Sequence, residues 1–200
     1  MPWSIAAFLP GRVAAEDPPA DPADAAVSLG RFLGALHVPA PPDAPVNSYR
    51  GVPLAERGLV VAENVGILGG RVDRRAVTRA WEAAVAAPAW DGPPVWLHGD
   101  LHPANILVDR GRLSGVIDFG DITSGDPAAD LSVSWMLLPT ECHDAFWSAY
   151  RAASGHGGDD GTWARARGWA LALSLAFLAH SADNPLIGGI GQRTLEAVLA

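Results

Sequence analysis

Asp100, Asn105 and Asp118 are the residues whose types and spacing can do chemistry in this chain. They fall in His98-Gly99-Asp100-Leu101-His102-Pro103-Ala104-Asn105 and, thirteen residues after Asn105, in Asp118-Phe119-Gly120. The set offers one base and two hard oxygen ligands. Magnesium prefers such ligands and bridges phosphate oxygens. Phosphoryl transfer asks little covalent work of a protein; it needs a positioned acceptor hydroxyl and neutralised phosphate charge. In that chemistry Asp100 accepts the hydroxyl's proton or orients the hydroxyl, and Asn105 and Asp118 hold the magnesium. A lone Asp or Asn in a loop more often satisfies nearby backbone groups. The ordered set, D-x4-N and then D-F-G, is what favours chemistry here.

The neighbouring polar residues read as support. His98 can titrate near neutrality, but a buried histidine bracing the loop is the favoured reading. His98 and His102 are four apart, a zinc-helix spacing; Gly99 and Pro103 oppose a helix there. Asp121 is nearest the expected metal and can assist it. Asp126 precedes Pro127 and reads as a helix N-cap with proline at the first helical position. Asp130 lies one turn further on, facing either the motif loop or solvent. Asp159, Asp160 and Asp183 either line an acidic substrate cleft or are solvated surface charge, the latter being favoured.

Elements must position these groups. Ile106-Leu107-Val108 and Leu113 to Ile117 are short β runs joined by Asp109-Arg110-Gly111-Arg112, a hairpin between the two motifs. Asn105 and Asp118 sit at its outer strand ends and are brought close by it. Pro93 to Leu97 leads extended into the motif loop. Helices are predicted at Asp24–His37, with Asp21 or Asp24 as N-cap, at Leu54–Leu68 up to Gly69-Gly70, and at Asp73–Ala87. Others follow at Pro127–Leu138, Glu141–Ala153, Thr162–His180 and Gly189–Leu199. Residues 38–53 hold five prolines and cannot be regular structure. Ser154 to Gly161 reads as a loop. The glycine strings fit neither phosphate-loop pattern and read as turns and helix ends.

The 200 residues suit one domain or one lobe of a larger enzyme. A hydrophobic fraction of 49% with eight tryptophans is ample for a packed core. A formal net charge of −8 argues against a nucleic-acid partner, which needs a basic face. Cys142 is the single cysteine, so no intrachain disulfide forms. The apolar run Trp169–Ala179 is too short to span a bilayer, and the first residues lack a secretory pattern. A cytoplasmic protein with no membrane partner is expected.

Protein kinases use H-R-D-L-x-x-x-N followed by D-F-G; here Gly99 stands in the Arg position. The chain resembles the aminoglycoside phosphotransferase family, which shares the protein-kinase-like fold and shows glycine there. The resemblance rests on Trp96 to Val108, on Gly115 to Asp121, and on Gly125-Asp126-Pro127-Ala128-Ala129-Asp130-Leu131. Weaker similarity reaches Pro2-Trp3-Ser4-Ile5 with Leu9-Pro10-Gly11, similar to an inter-lobe hinge, and Asn184-Pro185 with Arg193 to Leu199 at the C-terminal end.

The resemblance implies an α+β, mostly helical fold: a protein-kinase-like C-lobe over residues 13–200, preceded by a hinge-like segment 1–12. It implies a phosphotransferase moving the γ-phosphoryl of ATP or GTP, with magnesium, to a hydroxyl of a small molecule. By family name the acceptor is an aminoglycoside; related enzymes act on macrolides, choline, homoserine and sugars. Asp100 is then the catalytic base and Asn105 and Asp118 the magnesium ligands. The family also carries a β-rich N-lobe with a phosphate loop and a lysine. This chain starts at about the hinge, and its 14 basic residues are all arginine. A misplaced start or truncated gene is one account; a lone C-lobe, inactive and binding a small molecule or partner, is the other. Exposed apolar residues near Trp3, Ile5 and Phe8 predict self-association.

Overall fold

The predicted hairpin forms in the computed structural model, which describes residues 8–158 and 160–200. The hinge-like Pro2–Ile5 and Asp159 lie outside the described residues. Strands β3 (Ile106–Asp109) and β4 (Arg112–Val116) pair antiparallel, with a bulge at Leu107/Val108. Arg110 and Gly111 both take positive φ at the turn, the conformation that matches strand twist in a two-residue hairpin. β1 (Arg12–Val13) adds to the far edge of β3. β2 (Val95–Leu97) pairs with β5 (Thr123–Gly125). Neither β1 nor β5 follows from the sequence pattern, since two or three residues show no alternation.

The helices are α1 (Pro22–Leu36), α2 (Gly58–Leu68), α3 (Arg74–Val85), α4 (Ala128–Leu131), α5 (Val133–Leu137), α6 (His143–Ala153), α7 (Asp160–His180) and α8 (Pro185–Leu199). The Asp21 side chain caps α1, accepting from the amides of Ala23 and Asp24, and Asp73 caps α3 in the same way. Leu54–Arg57 is a 3₁₀ turn leading into α2, which stops at Gly69. The helix predicted over Pro127–Leu138 is broken at Ser132. The Ser132 and Ser134 hydroxyls donate to the carbonyls of Ala129 and Leu131, and such back-bonding bends a helix. Helix α8 begins earlier than predicted, capped by Asn184 with Pro185 inside its first turn.

Helix α7 packs against α2, α3, α4 and α8. Its Trp169, Ala170, Leu171 and Leu175 are fully buried, as expected of a helix surrounded by others. Leu97, Leu101, Ile106 and Val108 from the motif region join the same apolar core. The loop that carries Asp100 is therefore anchored in the core rather than laid on the surface.

Candidate active site

The catalytic-type loop runs from β2 to β3 and nearly all its polar groups are bonded. Asp130 is buried and turns towards the loop. Its Oδ2 accepts from the His98 amide at 2.7 Å and its Oδ1 from the Gly99 amide at 3.0 Å. His37 Nε2 lies 3.3 Å from the same carboxylate, and His37 Nδ1 lies 3.0 Å from the Tyr150 hydroxyl. Burial, then the charges of Asp126 and Asp130, push the Tyr150 phenol up, so it stays neutral.

His98 is the brace favoured from sequence. Its Nδ1 accepts from the Asp100 amide at 3.2 Å, which assigns the proton to Nε2, 2.9 Å from the Ile117 carbonyl. Its ring packs at 4.6 Å on Phe119. Gly99 explains its own identity. It holds φ +86°, and a Cβ there would lie 2.2 Å from the Asp121 carbonyl oxygen. That close backbone approach ties the loop to the Asp118 turn and excludes an arginine at this position.

Asn105 Nδ2 donates to the Asp100 carbonyl at 2.9 Å, which leaves Oδ1 as the amide's acceptor atom. The Asn105 carbonyl accepts from the Ile117 amide at 3.0 Å, drawing the β4 end towards it. Asp118 follows, exposed and left-handed at φ 64°, ψ 61°. An amide oxygen and a carboxylate are the donor types magnesium takes, so the two residues fit that ion. Asp121 is also exposed. Asp126 caps α4 by accepting from the Ala128 amide at 3.0 Å and pairs with buried Arg165 at 2.7 Å. The helix starts one residue later than the sequence suggests, with Pro127 at the N-cap position and Asp126 just before it. Asp183 is exposed, and Asp160 opens α7.

Two residues flank Asp100: Arg50, absent from the sequence reading, and His102, read there only for its zinc-like spacing from His98. Arg50 Nη2 donates to Asp100 Oδ1 at 3.0 Å. His102 Nε2 lies 3.5 Å from Asp100 Oδ2, while its Nδ1 accepts from the Ala104 amide. His102 thus serves this carboxylate rather than a shared metal with His98. Burial raises the Asp100 pKa, but the hydrogen bond and charge of His102, then Arg50, outweigh it and hold the carboxyl at about 2. Arg50 belongs to the proline-rich segment, where no periodicity marks a partner fifty residues away.

A helical lobe presenting an Asp–Asn loop and an Asp-Phe-Gly turn on either side of a hairpin is the architecture of a protein-kinase-like fold. A sequence model of the phosphotransferase enzyme family matches residues 1–169, and the chain belongs to that family. The Escherichia coli protein named aminoglycoside 3'-phosphotransferase is 28% identical over 148 residues, covering 68% of this chain and 52% of that protein. Macrolide 2'-phosphotransferase MphH from Brachybacterium faecium, solved as the apoenzyme, superposes with a TM-score of 0.56 at 25% identity, over 96% of this chain and 67% of that one. The GDP and kanamycin complex of an APH(2'') enzyme gives a TM-score of 0.62 at 19% identity, over 95% of this chain and 68% of that one. The chain spans about half the length of the curated aminoglycoside phosphotransferases it matches.

Proposed function

We propose that this chain is the catalytic C-lobe, over residues 13–200 behind a hinge-like segment 1–12, of a phosphotransferase that moves the γ-phosphoryl of ATP or GTP to a hydroxyl of a small molecule. The observation that carries the reading is the fixed Asp100 carboxylate, bonded on both sides, one turn of loop from Asn105. Asp100 receives the acceptor hydroxyl's hydrogen bond on a carboxylate oxygen. A carboxylate held near pKa 2 is a weak base for an un-ionised alcohol. It therefore orients the hydroxyl first and takes the proton late. That order suits a loose transfer, in which the nucleophile needs little activation.

Asn105 Oδ1 and the Asp118 carboxylate hold magnesium, which supplies charge neutralisation at the phosphates. His98 and Asp130 keep the loop backbone in place, and Asp121 and Asp126 act through the turn and the helix cap. Aminoglycosides and macrolides, the compounds named by the relatives, are the reference acceptors against which other hydroxylated small molecules are compared. Among the described residues no helix is long and apolar enough to cross a membrane; a cytoplasmic site of action, with Cys142 reduced, completes the proposal. Phe8, at 91% exposure, supports self-association.

The test is the thermal shift of the chain with magnesium plus ATP, or with magnesium plus GTP, beside Asp118→Asn. A stabilisation in the wild type that the variant loses is the expected result. No stabilisation with either nucleotide overturns the reading and leaves a binding remnant in its place.

A further inference from the structure

We infer that Arg50 sets the chemical class of the acceptor: its guanidinium receives an anionic group, a carboxylate or a phosphate, carried by the acceptor beside the reacting hydroxyl. The inference rests on the reading of Asp100 as the hydroxyl's partner. A hydroxyl bonded to Asp100 arrives next to the cation already bonded to that carboxylate at 3.0 Å.

The guanidinium is under-used where it stands. It has five N–H donors in a planar fork suited to paired oxygens. Among the described residues its hydrogen bond is the one to Asp100, and its Nε is buried without a partner. The side chain keeps 21% exposure, so a ligand can reach it.

The main chain that carries it is fixed. The Pro45 carbonyl accepts from the Ser124 amide, the Asn47 amide donates to Thr123 Oγ1, and the Gly51 carbonyl accepts from the Asp126 amide. Gly51 sits at φ +69°, back to back with Gly125, where a Cβ would lie 2.1 Å from the Gly51 carbonyl oxygen. The segment bearing Arg50 is thereby strapped across β5.

A second cation reinforces the sign. Arg57 lies over the Tyr49 ring, 5.5 Å from its centroid. Its guanidinium is pushed below the ordinary arginine range by burial and then by the charge of Arg50. Arg50 and His102 thus flank the Asp100 carboxylate, with Arg57 close enough to Arg50 for their charges to repel, in a chain of net charge −8. An ammonium on the acceptor would meet the Arg50 guanidinium and compete with it for Asp100. A carboxylate or phosphate would instead complete the fork while the hydroxyl keeps Asp100.

The test varies charge on one sugar ring: glucose, glucosamine, glucuronate and glucose 6-phosphate are titrated calorimetrically into the chain, with inorganic phosphate as control. At least one anionic sugar is expected to bind roughly tenfold or more tightly than glucose or glucosamine. Arg50→Gln should remove that preference, a loss of roughly 10- to 100-fold for one charge-assisted contact. Arg50→Lys, which keeps the charge and loses the fork, should fall between and stands in should Arg50→Gln not fold by circular dichroism. Tightest binding by glucosamine, no anionic binding, a preference that survives both variants, or equal binding of inorganic phosphate would each overturn the inference. Anion selectivity without transfer from ATP counts against the proposed function alone. Transfer to kanamycin without anion selectivity counts against this inference alone.

Discussion

The loop from His98 to Asn105 and the turn from Asp118 to Ile122 each present an acidic group, yet they are built in opposite ways. In the first, the amides of His98, Gly99, Asp100 and Ala104 all find side-chain acceptors, and Asp100 itself has partners on both oxygens. In the second, Asp118 and Asp121 are exposed, Phe119 keeps 39% exposure, and the turn's own hydrogen bond from Ile122 to Phe119 is long at 3.3 Å. The contrast matches what each side must do in the proposed chemistry. An acceptor hydroxyl gains from a pre-positioned carboxylate, because orientation is most of the work. A metal ligand can be drawn into place by the ion, whose own charge is the largest in such a site.

The largest break of this contrast is Asp130→Ala. It strips the acceptor from two buried amides and from His37 at once. Removing one member of a buried, paired set is expected to cost about 3–5 kcal/mol in urea unfolding. Asp121→Ala, in the exposed turn, should stay within about 0.5 kcal/mol of wild type. Comparable losses in the two variants would show that the loop is not the more tightly determined region.

How far this asymmetry was legible depends on distance along the chain. Asp100, Asn105 and Asp118 stand out because their spacing is local, and the hairpin between them shows a turn flanked by β-formers. His98 follows for the same reason, since Gly99 and Pro103 deny it a helix. The sequence does not place Asp130 on one face, because a four-residue helix has too little periodicity to fix its rotation. Arg50 was invisible. Its partner is set by the docking of an irregular segment on a three-residue strand, β5, and neither piece carries a pattern. The spacing of His102 from His98 points to zinc, whereas its partner in the fold is the nearer acidic neighbour, Asp100. The serine break at Ser132 was missed because back-bonding by a hydroxyl depends on side-chain rotation, not on residue order.

Acid titration sharpens the comparison on the rigid side. Asp100 is ordinarily a carboxyl of pKa 3.8 and is held at about 2 in the fold. A depressed folded pKa means the unfolded chain takes up the proton first. Its stabilisation is therefore complete above 3.8 and is lost as pH falls towards 2. Because the side chain is 27% exposed, water screens part of the effect, and about 1–2 kcal/mol is expected. Urea unfolding of wild type and Asp100→Asn between pH 5 and pH 2 reads this directly, over the window set by those two pKa values. The wild type should lose that amount relative to the variant. Parallel profiles would mean that Arg50 and His102 do not hold the carboxylate in solution as they do in the structure.

The smallest effect belongs to the exposed turn and has the opposite sign. Asp118 adopts φ 64°, ψ 61°, a left-handed conformation that costs most side chains about 1–2 kcal/mol and aspartate less. Nothing in the surrounding packing compels an aspartate there, since the side chain is exposed. Asp118→Gly relieves the Cβ conflict but loosens the unfolded chain, so a gain of a few tenths to about 0.5 kcal/mol is expected. Asp118→Asn should be neutral, because asparagine tolerates the same region. Asp118→Val, branched at Cβ, should lose about 1–2 kcal/mol. A ranking of Gly, then Asp and Asn, then Val in urea unfolding would mean that stability is given up at this position to place an oxygen ligand. Equal stability across the four would mean that the turn relaxes without cost, and that the carboxylate is free rather than held.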